Sequence, residues 1–128
     1  MIEGAIFDMD GVLVDNVKCH VRAWQQLGRE LGRELAEQEI RALFGQRNKE
    51  ILAALLGEPI SDEEAGRLGD RKEVIYRNLI SAEVEPVAGL PEFLADLKNE
   101  GVRLAVATSG PRENVDLVLR RLGFEHFF

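Results

Sequence analysis

The chain has 128 residues, 45% of them hydrophobic and 30% charged, a composition that suits one compact soluble domain and excludes a disordered tail. Acidic residues outnumber basic ones 23 to 16, and a net charge of −7 argues against binding a nucleic-acid backbone, which needs clustered Lys and Arg. No apolar run approaches the roughly 18 residues of a membrane span, and Met1-Ile2-Glu3-Gly4-Ala5 lacks the form of a secretory signal. Cys19 is the one cysteine, so no internal disulfide can form, and we expect a reducing, cytoplasmic setting.

In chain order, Ala5-Ile6-Phe7 is a short apolar run that stops at Asp8-Met9-Asp10-Gly11. Because it does not alternate with polar residues, it predicts a strand buried on both faces of a parallel sheet. Val17, Val21, Trp24, Leu27, Leu31 and Leu35 recur at helical spacing and predict one long amphipathic helix, with Trp24 and Cys19 as core residues. Ile40, Leu43 and Phe44 predict a shorter helix, and Ile51, Leu52, Leu55 and Leu56 another, with Asn48 as its N-cap. Ser61-Asp62-Glu63-Glu64 has capping-box form and opens a helix with the stripe Leu68, Val74, Ile75, Leu79, Ile80. Pro91 starts a further helix that Gly101 closes. Val102 to Ala107 is the second buried strand, ending in Thr108-Ser109-Gly110, and a last helix runs to Gly123.

A βαβ crossover needs about a dozen residues or more, whereas these two strands stand roughly ninety apart. The helix after Pro91 suffices for the crossover. The chain therefore reads as an α/β core of residues 1–14 and 86–128 with an all-helical domain inserted at 15–85. Glu85 to Gly89 is the return hinge.

Asp8 and Asp10 fall where a buried strand ends, the edge at which α/β sheets bind ligands. Two carboxylates so spaced can divide the roles of nucleophile and general acid/base, or one can hold a metal ion while the other attacks. A plain Asp-Gly turn is the bland alternative. A calcium loop counted from Asp8 fails, because Leu13 and Cys19 stand where Gly and Glu are required.

Phe7-Asp8-Met9-Asp10-Gly11-Val12-Leu13-Val14-Asp15 resembles the first motif of the haloacid dehalogenase superfamily, and Thr108 resembles its second. The helical insertion, with His20 and Ala23-Trp24, and the segment Pro86-Val87-Ala88-Gly89 resemble the β-phosphoglucomutase-like subgroup. The resemblance implies a Rossmann-like parallel sheet with a helical cap, here carrying its first two strands. It also implies Mg²⁺-dependent phosphoryl transfer through an aspartyl phosphate. In that reading Asp8 attacks phosphorus, Asp10 is the acid/base, and the Asp8 carboxylate and Asp10 carbonyl ligate the metal. Thr108 and Ser109 bind the phosphoryl group, and His20, Arg47 and Lys49 are candidate substrate contacts. Superfamily dehalogenases do not use the second Asp, so Asp10 favours phosphate chemistry, and a phosphorylated metabolite such as a sugar phosphate is the expected substrate.

The pattern of the superfamily continues with a third-motif Lys and a fourth motif of acidic metal ligands, whereas no Lys follows Thr108 here. We therefore expect an N-terminal part of a longer enzyme, inactive by itself and prone to homodimerise through open sheet edges or by exchange of elements. Phe44, Asn48, Gly110 and Pro111 stand where glucomutases hold a second phosphate, which favours phosphatase over isomerase. The contrasting expectation is a non-catalytic protein that acts by self-association.

Overall fold

The structure, a computed structural model, describes residues 1–128. The chain divides into two compact units, one formed by Met1–Val17 with Ile80–Phe128 and the other by Lys18–Leu79. No helix is long and apolar enough to cross a membrane.

In the first unit, β1 (Gly4–Phe7) pairs in parallel with β2 (Arg103–Val106), Gly4 opposite Arg103 and Phe7 opposite Val106. The crossover between them is α5 (Leu90–Asn99), and α6 (Arg112–Leu122) and a short 3-10 helix (Glu125–Phe127) follow β2. Ala5, Phe7, Leu104 and Val106 line one sheet face and pack with Leu13, Leu90, Leu94, Val102, Leu119 and Phe124. The expectation of burial on both faces is corrected. Ile6 is 76% exposed and its face carries Gly4, Arg103 and Ala105, all exposed. An apolar run reports what a strand can bury, while the element that covers a face is specified elsewhere in a chain.

The segments entering and leaving the helical unit run side by side. Asp15 N–H donates to Glu85 C=O at 3.0 Å, Val87 N–H to Leu13 C=O at 3.3 Å, and Val14 bridges Pro86 antiparallel.

The second unit holds most of α1 (Val17–Glu30), then α2 (Glu37–Arg41), α3 (Asn48–Leu56) and most of α4 (Asp62–Glu83). Trp24, Leu27, Ile40, Ile51, Leu52, Leu68, Ile75 and Tyr76 are buried in it. The single long helix expected through Leu35 is corrected to end at Glu30. Gly32 takes φ +74°, and Arg33 N–H returns to Gly28 C=O at 2.8 Å, so the chain reverses and seats Leu35 against Gly28. Three further local readings change. Val74 is 39% exposed, and Tyr76, fully buried, takes its place in the α4 stripe. Arg47, not Asn48, is the N-cap of α3, and Asn48 begins the helix itself. The second strand starts at Arg103 and ends at Val106, shorter than its apolar run. At the start of α4 the Ser61 hydroxyl accepts the Glu64 N–H at 3.2 Å, as its capping form predicts.

Candidate active site

Asp8 follows β1 directly, and Thr108 lies two residues beyond β2. Because the strands are parallel and Phe7 pairs with Val106, both side chains leave the sheet at the same carboxyl edge. Ala107 N–H donating to Phe7 C=O at 2.8 Å carries the ladder one residue past the strands. Asp8 is exposed, and its Oδ1 accepts the N–H of Met9 at 2.7 Å.

The turn after Asp8 is held from inside. The carbonyl of Met9, a fully buried residue, accepts N–H groups of Val12, Leu13 and Val14 at 2.9 to 3.3 Å, and Gly11 N–H donates to Val14 C=O. Gly11 sits at φ +75°, a conformation that a side chain would strain. This loop sets Asp10 half-buried, two residues past Asp8, with Asn16 donating its amide to Asp10 Oδ1 at 2.5 Å.

Beyond β2, the Thr108 hydroxyl accepts Gly110 N–H at 3.1 Å. A side chain at Gly110 would lie 3.5 Å from that hydroxyl and 3.9 Å from the buried Asn114 amide, so the three groups share one small space. Ser109 is exposed beside them. Asp8, Asp10, Thr108 and Ser109 thus belong to the same unit and the same sheet end.

The remaining candidates belong to the helical unit. His20, on α1, lies with its Nδ1 2.8 Å from Lys72 Nζ and stacks on Tyr76 with ring centroids 4.0 Å apart. Arg47, 83% exposed, pairs with Glu50 at 2.7 Å, and Lys49 pairs with Asp62. The hydrogen bond from Arg47, and then its charge, hold the Glu50 carboxyl below the usual range, and Lys49 does the same to Asp62.

Sequence reasoning missed Asn16, Lys72 and Glu73. Asn16 carried only the weak signal of a polar residue between a turn and an amphipathic helix. The signal for Lys72 was stronger, since it falls four residues after Leu68 and three before Ile75, on the apolar stripe of α4. A charged residue at a core position needs a partner, and its burial shows that it has one.

The donors suited to a cation here are oxygens, the Asp8 carboxylate and the Asp10 backbone carbonyl. Magnesium takes one or two carboxylates and completes its shell with water and substrate phosphate, so the donor set fits that ion. The chain gathers no cage of three or more His, Cys, Asp or Glu side chains.

An acidic pair at the end of a parallel strand lies beside a hydroxyl at the end of its neighbour, on the sheet edge at which α/β folds bind ligands. The chain belongs to the haloacid dehalogenase-like hydrolase family, whose profile matches residues 5–128. It is 29% identical over 132 residues to a phosphorylated carbohydrates phosphatase of Thermotoga maritima, covering 99% of this chain and 59% of that protein. It is 28% identical to the β-phosphoglucomutase of Bacillus subtilis, covering 94% of this chain and 56% of that protein. The fold superposes on a haloacid dehalogenase family IA, variant 3 hydrolase from Entamoeba histolytica with a TM-score of 0.89 and 27% identity, covering 99% of this chain and 58% of that one. The chain therefore spans about three fifths of the length of these relatives.

Proposed function

We propose that the protein carrying this chain is a Mg²⁺-dependent phosphatase of small phosphorylated metabolites, sugar phosphates foremost. The observation that carries the reading is the convergence of Asp8, Asp10 and Thr108 on one edge of a parallel strand pair. Phosphoryl transfer is mostly positioning and charge neutralisation, which these groups can supply. The exposed carboxylate of Asp8 attacks phosphorus and carries the phosphoryl group as an aspartyl phosphate. Asp10, oriented by Asn16, protonates the departing oxygen and then accepts a proton from the water that releases phosphate. Thr108 and Ser109 donate to the phosphoryl oxygens. The Asp8 carboxylate and Asp10 carbonyl would hold Mg²⁺, which when bound neutralises charge on the transferring phosphoryl group.

Substrate selection is assigned to the helical unit. His20 is proposed to contact the organic part of the substrate, and Arg47 or Lys49 to exchange its carboxylate partner for a substrate anion. Asn48, at the start of α3, is tied to Glu73 at 3.2 Å, and the resemblance to glucomutases implies a cation for a second phosphate at this position, so hydrolysis is favoured over isomerisation. The similarity to a carbohydrate phosphatase supports the same choice. The deciding experiment gives the full-length protein β-glucose 1-phosphate with a catalytic amount of the bisphosphate. Free phosphate should exceed glucose 6-phosphate; the reverse would make the protein an isomerase.

A further inference from the structure

A buried polar chain runs through the helical unit from α1 to α4 to α3. Lys72 and Glu73, neighbours on α4, are both buried. Lys72 Nζ lies 2.8 Å from His20 Nδ1 and donates to Glu73 Oε1 at 3.0 Å. The same carboxylate oxygen accepts the Asn48 amide from the first turn of α3 at 3.2 Å. Gly69, one turn earlier on α4, leaves the room that Asn48 occupies, since a side chain there would come within 3.3 Å of its amide nitrogen. The rings of Trp24 and Tyr76 face the ammonium at 5.2 and 5.5 Å.

Each of these neighbours favours a charged Lys72: one carboxylate and two aromatic faces around an ammonium sheltered from water. An ammonium has three donors and no acceptor. His20 Nδ1 must therefore accept, and the single ring proton resides on Nε2. In that arrangement the other ring nitrogen of His20 is a hydrogen-bond donor. Such a group suits an acceptor oxygen, as in the ester bridge or a hydroxyl of a sugar phosphate, and the opposite tautomer would present a lone pair instead.

We infer that Glu73, anchored by Asn48, is a positioning residue that acts through Lys72 to hold His20 as its Nε2–H tautomer. The inference rests on the proposed role of His20 as a substrate contact and adds the device that sets which proton it carries. Glu73 draws the ammonium to a fixed point, and Asn48 keeps the carboxylate from following other partners. The four side chains come from three helices, so the tautomer depends on how the helical unit packs.

Two measurements test it separately. Multiple-bond ¹H–¹⁵N NMR reads the ring nitrogens of His20 in the 128-residue chain, with His126→Gln removing the one other histidine. Wild-type His20 should show a protonated Nε2 and an unprotonated Nδ1 at about pH 8, where free imidazole is neutral. Glu73→Gln and Asn48→Ala should each mix the two tautomers, and Glu73→Asp should restore the single form. Asn48→Ala frees the Glu73 carboxylate from its anchor without removing a buried charge, so it carries the test even where Glu73→Gln fails to fold. A wild-type ring pattern in folded Asn48→Ala, or a Nδ1–H tautomer in the wild type, overturns the inference. In the full-length enzyme the same variants should raise KM by about tenfold with a smaller change in kcat. Mixed tautomers with an unchanged KM would keep the positioning device and remove His20 from the substrate site.

Discussion

Asn16 donates its side-chain amide to Asp10 Oδ1 at 2.5 Å from a position that solvent does not reach. The contact spans the whole turn that leaves β1, so the residue that orients the proposed acid/base lies just before α1 begins. Catalytic carboxylates need a fixed rotamer as much as a suitable charge, and a buried amide supplies it. Asn16→Ala should lower kcat of the full-length enzyme by at least tenfold while leaving KM nearly unchanged, the amount expected for one hydrogen bond to a charged group. A fall in KM-dependent binding with unaltered kcat would show that Asn16 serves another purpose.

Asp8→Asn should abolish the phosphoenzyme and reduce turnover by several orders of magnitude. The variant keeps shape and removes the charge of the proposed nucleophile, exposed just after β1. Residual phosphomonoester turnover within about tenfold of wild type, a barrier change of only ~1.4 kcal/mol, would remove Asp8 from the nucleophile's role.

Gly28→Ala should destabilise the helical unit by about 1–3 kcal/mol. An added side chain would stand 2.8 Å from the Leu35 side chain and 3.1 Å from the Arg33 carbonyl, and the latter is backbone. Leu35→Ala in the same background should recover part of the loss, because it removes the nearer obstacle. Thermal unfolding of the single and double variants decides this; a neutral Gly28→Ala would mean that the turn after α1 yields freely.

Glu30 and Arg71 tie α1 to α4 through two hydrogen bonds of 2.7 and 3.0 Å. The hydrogen bond from Arg71, and then its charge, keep the Glu30 carboxyl below the usual glutamate range. A carboxyl depressed in the folded state adds stability that is full above the ordinary glutamate range and lost as pH falls through the depressed value. Both side chains are more than a third exposed, so solvent screening keeps the pair's contribution small. Arg71→Ala should unfold at a slightly lower temperature at neutral pH, with the gap to wild type closing on acidification and at high salt. A gap that widens in acid would contradict the assignment.

The 128-residue chain by itself should show little phosphatase activity and should associate. Its sheet has two strands, each with one unpaired edge, and Ile6 and Phe93 are exposed apolar residues on this unit. No Lys follows Thr108 to meet the charge of a transferring phosphoryl group, and a missing donor of this kind costs about 10²–10³ in rate. Size exclusion with light scattering, and an assay with Mg²⁺, should give an oligomer with turnover far below that of the full-length protein. A monomer of normal activity would refute both statements.

Local chemistry was legible in the order of residues. The strands around Ile6 and Leu104, the Ser61 cap and the stop at Gly123 each depend on a few consecutive side chains, and the structure bears them out. Periodicity extended too far at Leu35, because a stripe of leucines continues across a turn when the chain folds back onto the same core. Ile6 illustrates the converse, since its apolar character says nothing of which element is present to cover it.

What the residue order determined by itself was the two strands, their helices and an acidic pair at a strand end, all products of steric preference and hydrophobic spacing within a few turns of chain. The partners of the polar side chains were decided only in three dimensions. Lys72 meets His20 across 52 residues and Asn48 meets Glu73 across 25, separations over which no local pattern carries information. The physical reason is that a buried charge is tolerated only where the packed helices bring compensating groups around it, and that condition belongs to the assembled helical unit.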